Sequence, residues 1–100
     1  MLYCDLFVDN AAIWYSVPCL NLVPLKAREY LKFTGELFFL DAQGYQDPTY
    51  DGLGTRYQFI YENPVGSYSM IPLDPVPSQR ISVVLGNQSC TLDIYDRVML

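Results

Sequence analysis

The stretch Gln79-Arg-Ile-Ser-Val-Val-Leu-Gly-Asn-Gln-Ser-Cys-Thr-Leu-Asp-Ile-Tyr-Asp96 decides the fold class. Apolar and polar residues alternate on both sides of Gly86-Asn87, the period of a strand half covered by a core. Two residues between two such runs make a hairpin, and glycine in first place suits a type II′ turn. Folding about that turn sets Val83 against Cys90 and Ile81 against Leu92 on one face. Ser82 then opposes Thr91 and Arg80 opposes Asp93 on the other face. A one-residue slip would put every apolar side chain into water, so turn and pattern specify the same register. Arg80 and Asp93 are expected to form an exposed cross-strand ion pair.

Working outward, the same period recurs along the chain. Leu2–Val8 and Ala11–Val17 alternate around Asp9-Asn10, a pair that tolerates the positive φ of a type I′ turn. Simple pairing about it predicts Leu6 opposite Ile13 and Cys4 opposite Tyr15. Pro18 ends the second run by removing a ladder donor. Leu20–Leu25 reads as a further extended piece. Lys26–Phe33 fits either a strand or one or two helical turns after Pro24, and Thr34-Gly35 punctuates. Glu36–Asp41 reads as a short buried strand. Thr55–Glu62 is a strand with Tyr57, Phe59 and Tyr61 on one face. Asn63–Ser69 is a polar, breaker-rich linker, and Met70–Pro77 an extended edge arm rich in proline. The expected fold is therefore all-β: one domain over residues 1–100, a small β-barrel or sandwich of about six to seven antiparallel strands.

Composition bounds the function. A chain of 100 residues is one domain and buries roughly 65% of the surface it exposes when unfolded. It carries six basic and eleven acidic residues, a net charge of −5, which disfavours a nucleic-acid partner. Lys26, Arg28 and Lys32 form the one basic cluster, read as a solvated segment or a local contact patch. Histidine is absent, and with it the commonest general base and metal ligand. No serine lies in a G-x-S-x-G elbow. The three cysteines, Cys4, Cys19 and Cys90, are odd in number and out of CxxC spacing. Buried free thiols in a reducing compartment are expected, not disulfides or zinc. The longest uncharged stretch, Asn10–Leu25, is interrupted by two prolines and is too short to span a bilayer, and the N-terminus does not read as a secretory signal. The expectations are no enzyme, no cofactor and no membrane partner.

Candidate contact residues concentrate in the longest irregular segment, Ala42–Gly54, a length at which a loop usually has a purpose. Tyr45, Tyr50 and, further on, Tyr68 are the tyrosines expected to be exposed, in a chain with nine. Asp47 and Asp51 are expected to shape turns, with Arg56 tying the loop down by pairing with one of them. Asp41, Asp47 and Asp51 could together offer oxygen ligands to calcium, although their spacing is not that of an EF-hand. A small β-barrel module binding a carbohydrate or other small ligand through Trp14 or the loop tyrosines is the alternative function.

Longer segments carry a resemblance. Met70-Ile-Pro-Leu-Asp-Pro-Val-Pro-Ser-Gln79, Ser82-Val-Val-Leu-Gly-Asn-Gln88 and Leu92-Asp-Ile-Tyr95 resemble the opening of the phage baseplate plug family, small tail proteins of contractile-tailed bacteriophages. Leu2–Asn10 resembles that family's next strand and turn. Gly35-Glu-Leu-Phe-Phe-Leu-Asp41, Gly44 and Asp47–Tyr57 resemble its C-terminal signature. The order is exchanged relative to the family, around residues 63–69. The resemblance therefore implies a circular permutant joined by a linker at 63–69, with Met1 and Leu100 close in space. It further implies a structural protein of the virion, made in the host cytoplasm, that plugs or braces the tail channel by packing on other baseplate proteins. Self-association into a homo-oligomer is compatible with this reading.

Overall fold

The computed structural model describes residues 1–31 and 35–97. Lys32, Phe33 and Thr34, from the basic cluster and the ambiguous segment, lie outside the described residues, as do Met99 and Leu100. Among the described residues seven strands form two antiparallel sheets. The first sheet has the order β2-β1-β7-β6, from β1 (Leu2–Val8), β2 (Ala11–Pro18), β6 (Ser78–Leu85) and β7 (Gln88–Asp96). The second has the order β3-β4-β5, from β3 (Glu36–Asp41), β4 (Tyr57–Glu62) and β5 (Tyr68–Ile71). The strand count and antiparallel pairing are those expected. The two-sheet form holds; a closed barrel does not, because each sheet keeps two edges.

The C-terminal hairpin has the expected register throughout, including Val83↔Cys90, Ile81↔Leu92 and Arg80↔Asp93. Its turn differs from expectation. Gly86 and Asn87 both have positive φ, at 55° and 68°, which is the type I′ geometry. Asp9 and Asn10, at 50° and 65°, form the expected type I′ turn of the first hairpin.

That first hairpin departs from simple pairing. Val8↔Ala11 and Phe7↔Ala12 follow from the turn, but Leu6 then faces Trp14, not Ile13, and Cys4 faces Val17, not Tyr15. Two irregularities in β2 cause the shifts. Each adds a residue to one strand and bends it. Ser16 takes a left-handed φ of 55°, and its N–H donates to Asp5 Oδ1 at 2.7 Å. The result is to turn Trp14 inward, where it is 7% exposed.

Inward residues of both sheets make one core. Leu2, Cys4 and Leu6 of β1 lie beside Cys90, Leu92 and Ile94 of β7, all buried. Leu37 and Phe39 of β3 lie beside Tyr57 and Phe59 of β4. The Phe39 and Phe59 rings stack with centroids 4.5 Å apart. Leu25, Ala27, Leu31, Leu53 and Leu73 fill the same cluster from the connections.

The connections serve the sheets. Residues 21–25 are not a strand but a strap along the outer edge of β3. Leu22 N–H donates to Phe39 O at 2.8 Å and Leu25 N–H to Leu37 O at 2.9 Å. One helical turn, α1 (Ala27–Tyr30), resolves the ambiguous segment as far as it is described. Four residues cannot hold a helix alone; Glu36 Oε1 anchors it by accepting the Ala27 N–H at 2.8 Å. The expected linker at 63–69 is shorter than predicted, because Tyr68 and Ser69 already belong to β5 and pair with Glu62 and Tyr61. The remaining loop is a tight hairpin connection in which Asn63 Oδ1 accepts the Val65 and Ser67 N–H groups.

Leu92 is fully buried at the centre of the first sheet. Leu92→Ala is expected to lower the unfolding free energy by about 2–5 kcal/mol. Val65→Ala, at an exposed loop position, is expected to change it by less than about 0.5 kcal/mol. Urea unfolding followed by circular dichroism checks both.

Candidate functional site

The inward side of β3 runs Leu37, Phe39, Asp41. A carboxylate thus occupies a core position, 4% exposed, and such a group must be paired and hydrogen-bonded to be tolerated. It is. Arg56 Nε donates to Asp41 Oδ1 and Arg56 Nη2 to Oδ2, each at 2.8 Å, in a bidentate fork. The backbone N–H groups of Gln43 and Gln46 donate to Oδ1 and Oδ2, each at 2.9 Å. The Arg56 hydrogen bond, ahead of the two backbone donors, holds the Asp41 carboxyl well below the usual carboxylate range against the opposing effect of burial. Arg56 is correspondingly raised.

This corrects the expected pairing. Arg56 binds Asp41, not Asp47 or Asp51. Asp47 Oδ1 accepts the Asn21 N–H at 2.9 Å, and Asn21 Oδ1 accepts the Asp41 N–H at 2.9 Å. Asp51 Oδ1 accepts the Thr49 hydroxyl at 2.6 Å. The three carboxylates therefore have three different partners. Among the described residues no group of three or more His, Cys, Asp or Glu side chains is placed to hold a metal ion. Asp41 does not stand out as the anchor in the sequence, because its place at the end of a strand reads as the start of a loop; the alternation Leu37, Phe39, Asp41 is the signal that marks it.

The same contacts give the segment between Asp41 and Arg56 its shape. Ala42 N–H donates to Arg56 O at 2.9 Å, closing its base. Arg56 lies 5.2 Å over the Tyr57 ring, and the Tyr57 hydroxyl donates to Gln46 Oε1 at 3.3 Å. Leu53 is fully buried, and a single 3-10 turn at Tyr50–Gly52 leads into it. Gly54 has φ +81°, and a Cβ there would lie 2.4 Å from Leu73 O, so a side chain is excluded.

The expected contact residues separate. Tyr45 is 91% exposed at the loop surface. Tyr50 is only partly exposed and packs against the core, contrary to expectation. Tyr68 is 66% exposed but stands on strand β5, not in a loop, with its ring 6.4 Å from Phe38. Trp14 presents no free face: it is buried, with its ring 5.6 Å from Tyr30. The three cysteines are free and buried as expected. Burial pushes the Cys4 thiol well up and Cys19 up to about 12, so neither is a thiolate near neutrality.

A family model described as Cyanophage baseplate Pam3 plug gp18 matches residues 1–64, which include the whole Asp41–Arg56 segment. No curated protein and no solved structure matches the chain.

A depressed carboxyl contributes stability that is present above its unfolded value and lost as pH falls through its folded value. Asp41→Asn is therefore expected to be less stable than the parent near neutral pH. The difference should shrink as pH falls below about 4, where the unfolded carboxyl protonates. Thermal midpoints of the two proteins between pH 7 and pH 2 check this; a constant difference would contradict it. Arg56→Ala is expected to lower the midpoint markedly near neutral pH, whereas Arg56→Lys, lacking the fork, should recover only part of the loss.

Proposed function

Since the chain belongs to the cyanophage baseplate plug family, we propose that it is a structural component of a phage tail baseplate that closes or braces the central channel by packing against neighbouring tail proteins. The match over residues 1–64 carries the reading. Its coarser content is a phage baseplate structural role, contact with other baseplate proteins and a place in the virion tail. The finer proposal draws support from the geometry of the Asp41–Arg56 segment. A loop held by a bidentate fork on a buried carboxylate loses little further freedom on docking, so less binding free energy is spent on ordering it. Tyr45 at its surface and Tyr68 on β5 are large, amphipathic contact groups. Within this reading Asp47, Asp51 and Arg56 shape the surface, and Tyr45 and Tyr68 touch the partner. Neither catalysis, nucleic acid nor a membrane is required, and the net charge of −5 accords with a protein partner. Synthesis in the host cytoplasm before assembly accords with three free cysteines.

The exchanged order of segments is, on the same proposal, a circular permutation with residues 63–69 as the joining connection. The family match ends at residue 64, inside that connection. Two neighbours also support it: the Met1 amine is 3.1 Å from Asp96 Oδ1, and Arg97 N–H donates to Met1 O at 3.1 Å. Permutation requires such proximity. A chain starting at Met70 in which Leu100 runs directly into Tyr3, so that Met99-Leu100 stand in for Met1-Leu2, should keep the parent's circular dichroism and thermal midpoint; failure to fold would count against it.

Tyr45→Ala and Tyr68→Ala are expected to leave the thermal midpoint within about 2 °C of the parent, being surface changes. Together they should reduce incorporation into tails, measured by quantitative mass spectrometry of purified virions. Normal incorporation and infectivity of the double variant would remove the tyrosines from the contact, and absence of the chain from baseplates would remove the function.

A further inference from the structure

We propose that the free edge of β6 is a self-complementary interface, and that a second copy of this chain adds its own β6 there, antiparallel, about a two-fold axis at Ser82. This goes beyond the baseplate reading and does not rest on it.

The four sheet edges of the described residues are unequal. The strap at 21–25 covers the edge of β3. β2 is broken by two bulges, a device that blunts strand edges. β5 has four residues. β6 has eight, paired with β7 in an unbroken register from Ser78 to Leu85. An edge strand of that length and regularity is a template for another strand.

The sidedness of β6 follows from its turn. In a two-residue hairpin the closing pair, Leu85 and Gln88, exchanges backbone hydrogen bonds, and bonded and unbonded pairs then alternate. The bond from Asp96 N–H to Pro77 O, at 2.7 Å, has the same parity. Arg80, Ser82 and Val84 therefore turn their backbone N–H and C=O groups away from β7. No described backbone group other than the strand ladders pairs with them.

The side chains do not guard this edge. A charge reaching over the edge would deter a second strand, but the Arg80 side chain, although 68% exposed, is folded back across the outer face of the sheet. It forms a fork on Asp93, at 2.6 and 2.9 Å, and lies 5.7 Å over the Phe7 ring. Ile81 and Val83, on the core side, are only half covered at the sheet margin, and Val84 is 67% exposed.

A pairing centred on Ser82 suits these residues. Ser82 then faces its own copy as a hydrogen-bonded pair. Arg80 faces Val84 of the second copy, which keeps like charges from direct opposition. Ile81 faces Val83 on the core side, twice by symmetry, and extends the half-covered apolar strip across the axis. The two four-stranded sheets would become one continuous sheet, an isologous contact of the commonest symmetry.

Sedimentation velocity over a range of concentrations is expected to show a species of twice the 11.5 kDa chain mass. Ser82→Cys tests the register. Opposed residues of a hydrogen-bonded pair have Cα atoms about 5.5 Å apart, so cysteines there are within the span of a short bis-maleimide. Ser82→Cys should be cross-linked to a dimer by that reagent at least tenfold faster than Val84→Cys. Ser82→Pro, which removes an outward donor only, and Val84→Lys, which sets a lysine against Arg80 of the second copy, should each yield monomer with unchanged circular dichroism. A parent that stays monomeric at all concentrations overturns the proposal. So does a dimer that survives Val84→Lys, or cross-linking at position 84 as fast as at position 82.

Discussion

The pairing of β1 with β7 is the constraint from which the rest of the structure hangs. Seven consecutive residues of β1, from Leu2 to Val8, meet Asp96 to Cys90 in strict register. Each hairpin could form from local sequence, but two isolated hairpins are marginal in water. Only their union places Leu2, Cys4 and Leu6 against Cys90, Leu92 and Ile94 and creates a surface on which Phe39 and Phe59 can pack. The partners are nearly a chain length apart, so most loop-closure entropy is met in this one ladder. Bonds among side chains reinforce it from the outer face. Asp5 and Asp93 stand directly opposite, an arrangement that would repel. Arg80 neutralises Asp93, while Tyr95 OH and Ser16 N–H both donate to Asp5.

The second sheet closes its loop-bearing end with a different kind of contact. Its loop-bearing end closes on a carboxylate embedded among apolar residues, and that carboxylate is satisfied by four donors of which Arg56 supplies two. Burying a charge is tolerable because every oxygen lone pair of consequence is used. The geometry specifies one loop conformation, which is what a contact surface built on a loop needs and what composition alone cannot provide.

Legibility in the sequence followed locality. Where a two-residue turn joins strictly alternating runs, as at Gly86-Asn87, pattern and turn geometry give the register down to individual pairs. At Asp9-Asn10 the same logic reached only Phe7↔Ala12, because the bulges depend on Ser16 adopting positive φ and on Asp5 capturing its N–H. Nothing in the local pattern announces a contact eleven residues away. The Asp41–Arg56 pair escaped for a similar reason. The sequence marks Arg56 as a tie for the loop and offers Asp47 and Asp51 inside it as partners, but the inward parity of β3 selects the carboxylate at its base. Tyr68 reads as a loop residue because Asn63 and Gly66 signal a break, which hides how soon after them the next strand begins.

The cross-bonding of Met1 with Asp96 and Arg97 has a mechanical meaning. β1 and β7 are antiparallel, so their two outer extremities sit side by side at one end of the central ladder. Tension applied through those two points would load the ladder one rung at a time, as a zipper is opened. Tension along either strand against its neighbour would load all rungs together in shear. The domain is therefore anisotropic under force, weak when its extremities are drawn apart and strong when the pull runs along the strands, so the direction in which surrounding material grips it governs whether it holds or opens.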